Sequence, residues 1–160
     1  MTRPQTLGPQ RVHFTTDTPV GREAVFDFFA DHERFGTLFA PAFAAKPGAL
    51  IKRTGTATEG RDPNGVGSIR SAKLGPFTLL EEVIVTYEPG VCIEYTATRG
   101  PIRNHLGRIE FSDNADGGTH IDYRIWFDAA IPGLGKLLAL QLGNALNGGW
   151  KRTEREFVTA

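Results

Sequence analysis

The order of the predicted elements constrains the fold of this chain more than any single motif. One strand precedes a short helical stretch, about six consecutive strand-like segments follow, and a single long helix opened by Pro132 closes the chain. Long antiparallel runs curl readily, and an amphipathic helix laid across the concave side leaves room for an internal cavity. The sequence therefore predicts an α+β architecture suited to binding, and it indicates no particular reaction.

The N-terminal part is predicted to hold one strand and two short helices. Residues 10–18 alternate weakly between apolar and polar side chains, residues 22–30 carry apolar side chains at helical spacing, and a second short helix runs from residue 32 to about residue 39. The two helices are expected to close one end of the curled sheet. Residues 41–49, rich in alanine, proline and glycine, are predicted to be a connector.

The middle of the chain is predicted to be a meander of strands joined by short turns. Glycine and proline at residues 75–76, 88–90 and 100–101 mark three of these turns. The predicted strands cover residues 50–58, 65–74, 77–87, 91–98, 102–111 and 119–129.

The closing helix is predicted from an apolar stripe that includes Leu134, Leu138 and Leu142. Gly148 and Gly149 interrupt this stripe, and each glycine inside a helix costs about 0.5–1 kcal/mol relative to alanine. Two interpretations stay open: a bend over a cavity mouth, or a simple kink fitted to the sheet.

Composition narrows the classes of partner. The chain of 160 residues fits one domain over residues 1–160, with residues 1–9 expected to be flexible. Its 18 lysine and arginine residues balance its 18 aspartate and glutamate residues, which argues against nucleic acid as a partner. No apolar run is long enough for an integral membrane segment. The lone Cys92 favours a reducing compartment, so a cytoplasmic location is predicted.

Several stretches carry a resemblance to a known family. They are AVFDFFADHERF, GVGSIRSAKL, EEVIVTYEPGVCIEYTATRGPIRNHLGRIEF and GGTHIDYRIWFDAAIPG, followed by the closing helix. Over about residues 10–158 the chain resembles the START-related, Bet v 1-like (SRPBCC) superfamily, specifically its polyketide cyclase and dehydrase-like branch. The resemblance implies a helix-grip fold, in which a curved seven-stranded antiparallel sheet wraps around a long C-terminal helix, with two short helices after the first strand. It also implies a cavity for a small hydrophobic ligand, but shared architecture indicates a class and not a reaction.

Hairpin geometry predicts which side chains meet inside the sheet. If residues 75–76 form a two-residue loop, Arg70 lies opposite Glu81 on the more apolar, inward face. The next turns then bring Tyr95 and His105 to the same face. An error of one residue in the predicted length of any turn would move His105 to the outer face. The predicted ligand-binding residues are Arg70, Glu81, Val83, Tyr95, His105, Tyr123, Leu138 and Leu142.

Each polar member of this set has a structural interpretation beside the functional one. Arg70 and Glu81 either only neutralise each other or also contact a ligand, because a buried charge requires a partner. His105 is either a hydrogen-bonded structural histidine or a general acid or base. The four histidines form no close pair of the kind that binds zinc, so neither a metal nor a cofactor is predicted.

Three functions fit these observations. The first is binding of a small hydrophobic molecule, lipid-like or polyketide-like, between the sheet and the closing helix. The alternative is a cyclase, aromatase or dehydrase in which His105 or Glu81 moves a proton. The third is an interaction module or homodimer that uses Trp126 on the convex face, although a single exposed aromatic residue is ordinary on a protein surface.

Overall fold

The computed structural model describes residues 2–39 and 49–159. The strands are β1 (Gln10–Thr18), β2 (Ala49–Gly55), β3 (Ile69–Leu74), β4 (Phe77–Glu88), β5 (Cys92–Arg99), β6 (Ile102–Asp113) and β7 (Thr119–Ala129). The helices are α1 (Arg22–Ala30), α2 (His32–Thr37) and α3 (Leu134–Thr159). The connector predicted over residues 41–49 lies, apart from Ala49, outside the described residues.

All seven strands form one antiparallel sheet in the order β1-β7-β6-β5-β4-β3-β2. Strands β2 to β7 follow one another as a meander, and β1 pairs with β7 at the far edge. The predicted fold is therefore confirmed: a helix-grip arrangement of seven antiparallel strands, a long C-terminal helix and two short helices after the first strand.

Helix α1 closes one end of the sheet through its phenylalanines. Phe26 packs edge to face against Tyr87 at the end of β4 and against Phe111 near the end of β6, with ring centroids 5.3 and 5.4 Å apart. Asp31 caps the N-terminus of helix α2, since its carboxylate accepts hydrogen bonds from the backbone N–H groups of Glu33 and Arg34.

Helix α3 spans 26 residues, or about 39 Å, and runs without interruption through the two glycines that break its apolar stripe. A Cβ atom at Gly149 would lie 2.2 Å from the carbonyl oxygen of Leu38. The glycine therefore lets the helix backbone approach the end of α2. Next to it, Trp150 stacks on Phe29 with ring centroids 5.6 Å apart. Among the described residues, no helix is long and apolar enough to cross a membrane.

The segment before β1 contacts the sheet. The N–H of Gly8 donates to the carbonyl oxygen of Asn104 at 2.9 Å, and Arg3 pairs with Glu94 at 3.3 Å. Glu94 lies on the face of the sheet that points away from α3, since the neighbouring Tyr95 points inward. The flexibility expected for residues 1–9 stays a prediction.

Candidate functional site

A cavity of about 250 Å³ lies between the concave face of the sheet and helix α3. Leu138 and Leu142 of α3 form one wall, and aromatic and aliphatic side chains of α2 and the sheet form the other. Further apolar residues of the lining are Phe35, Phe39, Ala72, Leu80, Ile102 and Ala145. Glu82, His105, Gln141 and the two tyrosines Tyr95 and Tyr123 are the polar lining residues.

The buried ion pair at this cavity differs from the predicted one. The turn at residues 75–76 is present, but Leu79 is an extra residue in β4, because Lys73 pairs with Thr78 and Ala72 pairs with Leu80. This bulge shifts the register by one residue. The predicted pairing of Arg70 with Glu81 is therefore wrong, and Arg70 lies opposite Glu82.

Glu81 and Val83 point away from the cavity for the same reason. Glu81 lies opposite Ser71 and accepts a hydrogen bond from the Thr98 hydroxyl at 2.9 Å. Val83 is buried between its cross-strand neighbours Ile69 and Thr96 on the face opposite Tyr95. Because side chains alternate along a strand, the bulge gives the inward positions to Leu80, Glu82 and Ile84 instead.

Arg70 is a fully enclosed cation. Its Nε donates to Glu82 Oε2 at 2.6 Å, and its guanidinium carbon lies 3.8 Å from the ring centroid of Phe35 and 4.0 Å from that of Tyr95. Burial, the largest single effect, lowers the pKa of Arg70, but the charge of Glu82 and its hydrogen bond, together with Tyr95 and Tyr123, outweigh burial and raise the pKa. Arg70 therefore stays charged. It lies behind the cavity wall and holds in place the carboxylate of Glu82, which lines the cavity.

His105 is held in one neutral tautomer. The backbone N–H of Ala97 donates to His105 Nδ1 at 2.9 Å, so Nδ1 must be an acceptor and the proton lies on Nε2. Burial lowers the pKa of His105, Glu82 opposes this shift and Arg70 adds to it. Nε2 lies 3.9 Å from Glu82 Oε1, which is too long for a hydrogen bond.

A second bulge brings His105 and Ile102 to the same cavity. On β6, Asn104 and His105 together face a single residue of β7, and Asn104 has a φ of 49°. Asparagine tolerates this left-handed conformation better than most residues. With strict alternation along a strand, Ile102 and His105 would point to opposite faces, because they are three residues apart. Ile102 was therefore not predicted as a lining residue.

Two buried tyrosines complete the polar end of the site. The hydroxyl groups of Tyr95 and Tyr123 are hydrogen-bonded to each other, and both side chains are buried. Burial raises the pKa of both hydroxyls above their usual range, so both are protonated at neutral pH. They offer a ligand hydroxyl groups and ring edges, not a charge.

The structure thus brings together most, but not all, of the predicted residues. The cavity is lined by Tyr95, His105, Tyr123, Leu138 and Leu142, while Arg70 lies behind it. Glu82 was missed, although the adjacent pairs Leu79–Leu80 and Glu81–Glu82 break strand alternation and could have indicated a bulge. Within residues 2–39 and 49–159, no three His, Cys, Asp or Glu side chains are grouped in a way that could hold a metal ion.

Fold and cavity together define a helix-grip domain with an internal cavity between sheet and helix. The sequence model of the family described as "Polyketide cyclase / dehydrase and lipid transport" matches residues 9–157, and the chain belongs to this family. A search of curated proteins gave no significant match.

Solved structures share this fold at low sequence identity. A START superfamily protein from Mycobacterium smegmatis is 13% identical, with 92% of this chain and 97% of that chain covered and a TM-score of 0.61. Ara h 8.0201 is 16% identical, with coverage of 93% and 97% and a TM-score of 0.60. A protein from Thermobifida fusca is 16% identical, with coverage of 91% of both chains and a TM-score of 0.64. At these identities the likeness concerns the fold alone.

Proposed function

We propose that this protein binds a small hydrophobic molecule, lipid-like or polyketide-like, in the cavity between the sheet and α3. The observation that carries the proposal is the cavity itself: about 250 Å³ of space, lined mainly by apolar side chains. Ligand sites typically combine such a lining with a few convergent polar groups. Apolar burial at about 25 cal/mol per Å² would supply most of the affinity.

The polar groups would orient the ligand. Glu82 and His105 line the cavity beside each other, and the tyrosine pair lies against the same wall. The matched family is described by cyclase, dehydrase and lipid transport functions. Substrates and cargoes of these kinds are largely apolar molecules, which is the chemistry that this lining suits.

The enzymatic alternative, with His105 or Glu81 transferring a proton, has weaker support. His105 Nδ1 is occupied by the Ala97 N–H, and Nε2 already carries the proton, so neither nitrogen is a free base. Donation from Nε2 would leave an unfavourable imidazolate. Glu81 faces away from the cavity, and the carboxylate that replaces it, Glu82, is bound to Arg70. These contacts favour binding over acid–base catalysis.

The proposal is tested by native mass spectrometry of the purified protein, followed by solvent extraction of any bound molecule. We expect Ala145→Phe, which puts a ring into the cavity, to abolish retention of the molecule or of an added apolar ligand. Asn144→Phe adds the same ring to the exposed side of the same helix turn and serves as the matched control. Equal binding by both variants would place the ligand elsewhere, and no binding by the unmodified protein across an apolar library would refute the proposal.

A cytoplasmic location, a homodimer through Trp126 and the absence of nucleic acid partners stay predictions from the sequence. Trp126 is partly buried on β7, opposite Gln10 of β1 and Leu106 of β6. It is therefore an ordinary interior position of the sheet on the side away from α3.

A further inference from the structure

The polar wall of the cavity contains a gap between one acceptor and one donor. Glu82 Oε2 is bound by Arg70, while Glu82 Oε1 and His105 Nε2 lie 3.9 Å apart. In the part of the chain that the structure describes, neither of these two atoms has a hydrogen-bond partner. Both residues line the cavity. A ligand therefore meets a carboxylate oxygen that accepts next to an imidazole N–H that donates.

We propose that this pair binds a single hydroxyl group of an otherwise apolar ligand, so that the protein selects uncharged alcohols or phenols. The inference rests on the proposed function, because it assumes that the ligand occupies this cavity. A hydroxyl oxygen with two hydrogen bonds of about 2.8 Å would span atoms 3.9 Å apart at an angle of roughly 90°. It would donate to Glu82 Oε1 and accept from His105 Nε2.

Other polar groups satisfy only part of this pair. A ketone or an ether accepts from His105 but leaves the carboxylate without a donor, and an unpaired buried polar group is costly. A carboxylic acid in its ionised form brings a negative charge next to Glu82. A hydrocarbon leaves both atoms unpaired. The geometry thus ranks an alcohol above an ether, a hydrocarbon and a carboxylate on the same skeleton.

The fixed tautomer of His105 determines that a ligand must accept a hydrogen bond at Nε2 and donate one to Glu82. Because the Ala97 N–H occupies Nδ1, the imidazole cannot exchange its donor for an acceptor at Nε2 without losing that hydrogen bond. Arg70, enclosed by Phe35 and Tyr95, likewise keeps Glu82 from turning away. Arg70 is therefore a positioning residue for the site.

The test uses calorimetric titration of the purified protein with 2-naphthol, 2-methoxynaphthalene, naphthalene and 2-naphthoic acid, and with the same groups on a linear ten-carbon chain. The readout is the ratio of alcohol affinity to hydrocarbon affinity. We expect a ratio of about ten or more on at least one skeleton, since two hydrogen bonds, one of them to a charged group, are gained. The affinity of the methyl ether should exceed that of the hydrocarbon by at most a few-fold.

Two variants test whether Glu82 and His105 cause the preference for the alcohol. His105→Asn keeps an acceptor for the Ala97 N–H and removes the Nε2 donor, and Glu82→Gln replaces the charged acceptor with an amide of the same size. Each should reduce the alcohol-to-hydrocarbon ratio about tenfold. Glu81→Gln makes the same change at the adjacent carboxylate, which faces away from the cavity, and should leave the ratio unchanged. Because the readout is a ratio within each variant, a moderate loss of stability does not obscure it.

The outcomes separate this inference from the proposed function. Equal affinity for alcohol and hydrocarbon overturns the hydroxyl site while leaving the apolar cavity as the binding site. Tightest binding of the carboxylate also overturns it. A high ratio that persists in both His105→Asn and Glu82→Gln shows that other groups hold the hydroxyl. A protein that binds none of the compounds contradicts both the inference and the proposed function.

Discussion

Gly107 on β6 lies directly opposite Tyr95 on β5, and a Cβ atom at Gly107 would be 2.0 Å from Cζ of the tyrosine ring. The ring therefore lies across the strand at the one position that has no side chain. From there its hydroxyl reaches Tyr123 on β7. The shape of the cavity wall at Tyr95 and Tyr123 therefore depends on this glycine as well as on the two tyrosines.

We expect Gly107→Ala to destabilise the protein by about 1–3 kcal/mol, because the new methyl group would overlap the buried ring of Tyr95. Tyr95 is buried and cannot move its ring into solvent. The free energy of unfolding from urea titration measures the effect.

The control is a double-mutant cycle with Tyr95→Leu, which removes the ring that the new methyl group would meet. The cost of Gly107→Ala should be clearly smaller in the Tyr95→Leu background, with a coupling of at least 0.5 kcal/mol. Additive costs would mean that the glycine serves the backbone and not the ring.

The sequence predicted the elements well because they follow from hydrophobic period and turn chemistry. The bounds of β1, α1 and β7 agree with the periodicity of their side chains, and the turns at residues 75–76 and 100–101 lie where glycine and proline indicate them. The predicted C-terminal helix is present and continues through Gly148 and Gly149, where a bend or kink stays a prediction.

The site was harder to predict because it depends on two bulges. Each bulge inserts one residue, and one residue is enough to exchange the inward and outward faces of a strand. The bulge at Leu79 places Glu82 instead of Glu81 on the inward face, and the bulge at Asn104 adds Ile102 to the lining. Local sequence favours a bulge only weakly, since the tertiary packing of both faces decides its position.

Replacement by alanine should have opposite effects at Gly143 and Gly149 of α3. Gly149→Ala should destabilise the protein by about 1–3 kcal/mol, because its Cβ would lie 2.2 Å from the carbonyl oxygen of Leu38. A Cβ atom at Gly143 meets no atom within 4 Å in the described part of the chain, so Gly143→Ala should be neutral or stabilising by up to about 1 kcal/mol, since alanine favours the helix. Thermal and urea unfolding of both variants measure the contrast. Similar effects at both positions would show that helix propensity alone decides, and that the contact with Leu38 relaxes.

Breaking the buried ion pair should cost far more than breaking an exposed one. Arg70→Met leaves the mostly buried carboxylate of Glu82 without its cation and should lower the free energy of unfolding by about 3–5 kcal/mol. Replacing both residues, Arg70→Met with Glu82→Leu, should cost less than Arg70→Met alone, because no unpaired charge remains. Denaturant titration of the three proteins tests this order.

The control for that experiment is an exposed pair at 3.0 Å, Arg22 with Asp113. Arg22→Met should change stability by at most about 1 kcal/mol, because solvent screens the pair. If Arg70→Met costs no more than Arg22→Met, then Glu82 takes up a proton or finds another partner when Arg70 is lost.

Two buried histidines should make the protein less stable as the pH falls below 6.5. Burial, with smaller effects from Arg70 and Arg53, lowers the pKa of His32 to about 3, and burial also lowers that of His105. The unfolded chain binds protons at these histidines below about pH 6.5 while the folded protein does not. The free energy of unfolding should therefore fall with pH by up to about 1.4 kcal/mol per pH unit for each histidine.

The window between pH 5 and pH 6 isolates this effect from the carboxylates. Glu110, whose pKa is lowered chiefly by its hydrogen bond with Arg108, also loses its stabilising contribution as pH falls, but only at lower pH. His32→Gln keeps a polar group near Ser68, which lies 2.9 Å from His32 Nε2, and should remove its share of the slope. His105→Asn should remove the other share, and the double variant should be nearly independent of pH in this window. A slope in the double variant equal to that of the unmodified protein would show that neither histidine is the group that resists protonation.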